Sequence, residues 1–109
     1  MVRRVVVFDI DGTLADNTHR QRHLMGENKD WKSYNQNMIE DGLYEDIAEL
    51  LTELSDTGNT IILCTGREEV YKGVTIEWLH KHRLGGYVAT IYMRKEKDYR
   101  SDAIVKVEL

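Results

Sequence analysis

The chain has a single cysteine, no proline, and no apolar run approaching the ~20 residues that a membrane-spanning helix needs. One cysteine, Cys64, rules out a disulfide within the chain and makes a reducing cytoplasm the expected setting. The missing proline excludes nothing by itself. Met1-Val2-Arg3-Arg4 is followed by only a short apolar stretch, interrupted at Asp9, which is not the pattern of a signal peptide, so no membrane association is expected. Basic charge is not in surplus either. Fifteen Lys and Arg against 19 Asp and Glu give a net charge of −4, which argues against broad nonspecific nucleic-acid binding through a basic surface. Internal repeats, low-complexity tracts and linkers are absent too. With 41% hydrophobic and 31% charged residues in 109, the composition is that of one soluble globular domain.

Against that background, Val5–Asp16 stands out. Its sequence, VVVFDIDGTLAD, runs four apolar residues into two aspartates spaced i, i+2, then Gly12 and Thr13. If the apolar run is a buried strand, Asp9 and Asp11 fall at its carboxyl end, where open α/β sheets hold their ligands. Alternation along extended backbone sends both side chains toward the same side. Two converging carboxylates repel unless a cation or a shared proton intervenes, and a hard ion such as Mg²⁺ suits oxygen ligands of this kind. The bland alternative is a hairpin, because Asp-Gly between apolar runs marks a tight turn. Asp9, however, lies inside the apolar pattern, where an unpaired carboxylate would be costly.

The order of elements supports the strand. Apolar runs near residues 3–8, 60–64 and 87–92 read as strands. Leu43, Ile47, Leu50, Leu51 and Leu54 keep helical spacing over 43–57, and Val70, Val74 and Trp78 recur every four residues over 69–83. A loop with a short helical insert fills about 14–41, and a last short helix is expected over 101–108. Strands alternating with such helices predict βαβ units with right-handed crossovers, and hence an α/β, doubly wound parallel sheet.

Further residues carry chemistry. Thr65-Gly66-Arg67 ends the second apolar strand: a hydroxyl, an unobstructed backbone and a bidentate guanidinium suit a phosphate, although Thr65 could simply cap the next helix. Asp102 and Lys106 are i, i+4 and could be a surface ion pair contributing about 0.3–0.5 kcal/mol; alternatively Lys106 neutralises a phosphoryl group in transfer, with Lys95 as its competitor. His19 and His23 have the spacing of a helical zinc pair but no further ligand nearby, so they read as surface residues. Cys64 reads as a small buried hydrophobe. Trp31 and Tyr34 are expected to pack the insert against the body, with base stacking the lesser alternative.

The string D-I-D-G-T-L-A-D resembles the first motif of the haloacid dehalogenase superfamily of phosphotransferases. The apolar strand ending in T-G-R resembles its second motif, and Lys106 stands where its third-motif lysine would. Together with Arg20, nine residues after Asp11, and the pattern D-x-R-x-D-x-x-x-K, the chain resembles the 3′-phosphatase domain of phage-type polynucleotide kinases. The resemblance implies a Rossmann-like fold with a minimal cap made from residues 14–41. It also implies a Mg²⁺-dependent phosphomonoester hydrolase that forms an aspartyl-phosphate on Asp9. Asp11 would be the general acid and base, both aspartates would hold the metal, and Arg20, Arg67 and Asp102 would complete the site. A nucleic-acid 3′ end would be the substrate, in end repair. A small-molecule phosphatase and a noncatalytic phosphate- or partner-binding module are the alternatives. The superfamily's fourth motif, a strand ending in acidic residues, has no counterpart before Leu109. The domain is therefore expected to be C-terminally incomplete, by truncation before partner-supplied completion or lost catalysis. The first strand then becomes an apolar edge through which the chain is expected to self-associate.

Overall fold

The computed structural model describes residues 4–95; Asp102, Lys106 and the helix expected over residues 101–108 lie outside the described residues. In chain order the elements are β1 (Val5–Phe8), β2 (Ala15–Asp16), α1 (Thr18–Gln21), α2 (Trp31–Gln36), β3 (Gly42–Leu43), α3 (Glu45–Asp56), β4 (Thr60–Glu68), α4 (Lys72–Lys81) and β5 (Thr90–Arg94). Among the described residues no helix is long and apolar enough to cross a membrane.

The apolar runs make a three-stranded parallel sheet in the order β1-β4-β5, with Val5 opposite Thr60 and Phe8 opposite Leu63. The β1–β4 and β4–β5 crossovers run in one direction across the sheet, which under the right-handed rule for parallel strands sets α3 and α4 on the same face. Side chains of one strand parity, Val6, Phe8, Ile61, Leu63 and Ile91, pack there against Ala48 and Leu51 of α3 and Trp78 and Leu79 of α4. Burying each large side chain contributes about 1.5–3 kcal/mol. The sheet is thus α/β and parallel, but among the described residues helices cover only one of its faces. On the other, Val5, Val7 and Tyr92 are 61%, 60% and 41% exposed. β1 has β4 as its one neighbour among the described residues, so the edge expected to self-associate is an edge here.

Local sequence explains where the elements depart from expectation. α4 begins later than its every-four pattern implies, because Glu69–Tyr71 forms a 3₁₀ turn; Val70 is therefore exposed and the buried stripe is Thr75, Trp78 and Leu79. Leu50 likewise points outward while Ala48 and Leu51 turn inward. The third strand starts at Thr90 rather than near residue 87, since Gly85–Tyr87 is another 3₁₀ turn. β4 runs four residues past Cys64, straight through Thr65-Gly66-Arg67. Between Cys64 and Glu68 its register with β5 shifts, the mark of a bulge, and bulges re-aim side chains beside sites.

The hairpin alternative for Asp11-Gly12 fails. β1 pairs with β4, and β2 pairs with β3, whose Gly42 lies opposite Asp16. The turn after Asp11 is a tight loop in which the N–H groups of Thr13, Leu14 and Ala15 all donate to the Ile10 carbonyl. Gly12 sits at φ +78°, a left-handed conformation that other residues reach only with strain.

Between β2 and β3 the insert is built from one-turn pieces. Asp30 caps α2: its carboxylate accepts from the Ser33 hydroxyl at 2.7 Å and the Ser33 N–H at 3.0 Å. Those two bonds hold the Asp30 carboxyl below its ordinary value of 3.8. A carboxyl lowered on folding adds stability above its unfolded value and loses it as pH falls through the folded one. Asp30→Ala is expected to melt at a lower temperature than the parent at pH 7, and thermal melts should show the deficit closing as pH drops below 3.8.

Candidate active site

Asp9 leaves the end of β1 and Asp11 follows the buried Ile10, so both carboxylates reach one cavity of ≈ 830 Å³ at the carboxyl end of the sheet. Thr65, Gly66 and Arg67 from the β4 bulge line the same cavity, with Arg94 from β5. Asp9 Oδ1 accepts from the Ile10 N–H at 2.8 Å, which fixes the side chain close to its own backbone. Thr65 is buried, and its oxygen accepts from the Arg67 N–H at 3.2 Å, so its own hydroxyl proton can turn to a ligand oxygen.

Asp11 is gripped from two sides. Arg67 donates to it through Nε at 3.0 Å and Nη2 at 2.8 Å, and Arg20 adds Nη2 at 3.0 Å. Sequence reasoning gave Arg67 a bidentate contact; the fork is present, but it closes on the protein's own Asp11. The rest of each guanidinium is also engaged. Arg67 Nη1 donates to Thr75 Oγ1 at 3.0 Å, and Arg20 Nη1 donates to the Tyr34 carbonyl at 3.0 Å.

Beneath this pair lies Asp41, with no exposed side-chain surface. It accepts from Arg20 Nε at 2.6 Å and Nη2 at 2.8 Å, and from Arg67 Nη2 at 3.2 Å, and His19 Nε2 lies 2.7 Å from its Oδ1. The Asp41 carbonyl accepts from the Trp78 indole N–H at 2.8 Å, which ties the cluster to the core. Burial alone would lower the Arg20 pKa. The hydrogen bond to Asp41 and the negative charges of Asp41 and Asp11 outweigh it and carry the guanidinium above its ordinary value. Two arginines and two aspartates thus form a balanced, buried lattice that presents Asp11 to the cavity.

Of the residues singled out in the sequence, the fold brings Asp9, Asp11, Thr65, Gly66, Arg67 and Arg20 together. Asp102 and Lys106 lie outside the described residues. Sequence reasoning missed Asp41, whose place at the end of the insert carries no pattern of its own. Arg94, not singled out in the sequence, is buried and donates through Nε to the Gly66 carbonyl at 3.1 Å. His19 is not a bystander, since it joins Asp41, while His23 takes no part in the cluster.

The donors suit a hard cation. Among the described residues no group of three or more His, Cys, Asp or Glu is arranged to hold an ion, so the protein's share there would be Asp9 and Asp11. Mg²⁺ is commonly held by one or two carboxylates, with water and substrate phosphate oxygens completing its shell.

The family model described as the polynucleotide kinase PNKP phosphatase domain matches residues 3–109. No curated protein matches the sequence. A chain in the structure of the Pnkp1/Rnl/Hen1 RNA repair complex is 29% identical with a TM-score of 0.81, over 98% of this chain and 30% of that one. A chain from another structure of the Pnkp1/Rnl/Hen1 complex is 30% identical with a TM-score of 0.74, over 99% of this chain and 33% of that one. This chain therefore spans about a third of the length of either. The haloacid dehalogenase-like hydrolase SP0104 from Streptococcus pneumoniae, 17% identical with a TM-score of 0.57 over 94% of this chain and 67% of its own, shares the fold.

Proposed function

The chain belongs to the family of polynucleotide kinase PNKP phosphatase domains, and from that premise we propose that it is a Mg²⁺-dependent 3′-phosphatase acting on nucleic-acid ends through an aspartyl-phosphate on Asp9. The observation that carries this reading is the shared cavity: a carboxylate at the end of β1, a second one clamped two residues on, and a hydroxyl-bearing bulge beside them.

In the first step an Asp9 carboxylate oxygen attacks phosphorus, and the bond from phosphorus to the leaving 3′ oxygen breaks. Asp11, entering this step protonated, delivers its proton to that oxygen and is left ionised. In the second step Asp11 takes a proton from water, which attacks phosphorus; phosphate leaves and the Asp9 carboxylate is regenerated. Arg20 and Arg67 fix the direction of the Asp11 carboxylate throughout, and the Thr65 hydroxyl donates to a nonbridging oxygen. Asp9 and Asp11 would hold Mg²⁺. When bound, the ion supplies positive charge to the nonbridging phosphoryl oxygens. By the family's third motif Lys106 would add a second positive charge, with Asp102 near it.

The test is release of phosphate from a 3′-phosphorylated oligonucleotide. Turnover is expected with Mg²⁺, is lost on chelation, returns with added Mg²⁺, and exceeds that on the same strand phosphorylated at its 5′ end. No turnover with Mg²⁺ present would overturn the reading and leave a phosphate-binding module. Repair of RNA ends in the cytoplasm is the setting this proposal favours, given the RNA repair complex among its structural relatives.

A further inference from the structure

A phosphoryl group occupies only part of a cavity of ≈ 830 Å³, a volume in the ~300–1,000 Å³ range of sites that enclose whole small molecules. Much of the remaining wall comes from the insert: Leu24, Trp31, Lys32, Tyr34 and Met38. Trp31 is 55% exposed there. A lone exposed apolar side chain needs no explanation. Trp31 differs because it shares the cavity of Asp9 and because it is braced.

Its indole meets the Tyr34 ring edge-on, with centroids 5.6 Å apart and planes at 86°. Such a contact holds one ring by its rim and leaves a broad face open. The Tyr34 ring in turn lies 4.4 Å from Arg20 Cζ, and its hydroxyl accepts from Asn17 Nδ2 at 3.0 Å. Arg20 is the guanidinium that grips Asp11. A continuous chain of contacts therefore sets the position of the indole relative to the reacting carboxylates. The Asp30 cap starts α2 one residue before Trp31 and fixes it from the other side.

Resting on the phosphatase reading, we propose that Trp31 is a base-stacking platform, against which the nucleobase of the terminal nucleotide lies while its 3′-phosphate faces Asp9. A rigid, half-exposed indole matches the π-face that every base offers, and stacking of this kind tolerates any sequence. Lys32, on the same wall, supplies a positive charge for the next phosphate of the strand. A phosphomonoester without a ring would leave this wall unused.

Tryptophan fluorescence tests the platform without turnover, because the other tryptophan, Trp78, is fully buried. In the Asp9→Asn variant, a 3′-phosphorylated trinucleotide is expected to quench emission saturably. The same strand ending in an abasic 3′-phosphate should not quench. Trp31→Ala is expected to weaken binding of the base-bearing strand, followed by anisotropy of a 5′ label, roughly 5- to 100-fold. The loss on glycerol phosphate should be much smaller than that on the strand, and Trp31→Phe should recover most of the strand affinity. Equal quenching by the abasic strand, equal losses on both substrates, or a flat titration to millimolar strand would overturn the proposal. Base-dependent quenching without hydrolysis by the unmutated chain would support the platform and sink the phosphatase reading alone.

Discussion

Asp9→Asn should remove turnover of a 3′-phosphorylated strand by at least about 10⁴-fold, the scale on which loss of a reacting nucleophile acts. The substitution replaces an anionic oxygen by an amide that cannot form the acyl phosphate, with almost no change of volume. The remaining amide oxygen can still accept the bond that Asp9 Oδ1 takes from the Ile10 N–H, so β1 should keep its end. The thermal midpoint is therefore expected to stay within a degree or two of the parent's while kcat vanishes. Asp11→Asn offers the contrast. Its carboxylate is the partner of three guanidinium N–H groups, so neutralising it should cost stability as well as rate. Steady-state rates and melts on the two variants separate the roles. Undiminished turnover in Asp9→Asn would rule out covalent catalysis at this residue.

How far the sequence announced this arrangement depends on the length of the signal. Val5–Phe8 and the two aspartates behind it form one uninterrupted local pattern, and strand, loop and carboxylate positions emerge as expected. Thr65-Gly66-Arg67 was legible as a site but not as a bulged continuation of β4, because the bulge exists only relative to β5. Arg67 shows the same limit in its chemistry: the fork geometry follows from the residue type, whereas its partner follows from the fold. Asp41 was not legible at all. It is one of 19 acidic residues, and what brings it beneath Arg20 is the pairing of two two-residue strands, β2 and β3, which are too short to leave a periodic trace. Trp31 and Tyr34 were read as packing the insert against the body, with base stacking the lesser alternative. Tyr34 packs against Arg20, and Trp31 remains open because a helix of six residues has no second turn to turn it inward.

Asp41 carries the other large expected effect. Asp41→Leu should cost about 3–5 kcal/mol, since it leaves the Nε of buried Arg20 facing an apolar group and strips Arg20 of one of its two carboxylates, while Arg67 keeps Asp11 and Thr75. Against a total stability of ~5–15 kcal/mol that loss is severe, and denaturant titration will read it directly. The origin of the cost can be separated from simple loss of packing. If the penalty is a buried cation left with too little negative charge, removing that cation as well should return part of it. The double variant Arg20→Met with Asp41→Leu is then expected to be more stable than the Asp41→Leu single, because apolar residues of similar volume replace a buried ion pair at little cost. Activity should not follow stability. In the double variant Arg20 no longer holds Asp11 and Arg67 has lost its lower anchor, so the general acid should drift from its line by a fraction of an ångström or more. A displacement near 1 Å costs about 10²-fold, expected in kcat rather than KM because the proposed phosphate contact at Thr65 is untouched. A double variant as unstable as the single would show that Asp41 acts by filling space. One that regained both stability and kcat would show that the buried lattice does not position Asp11.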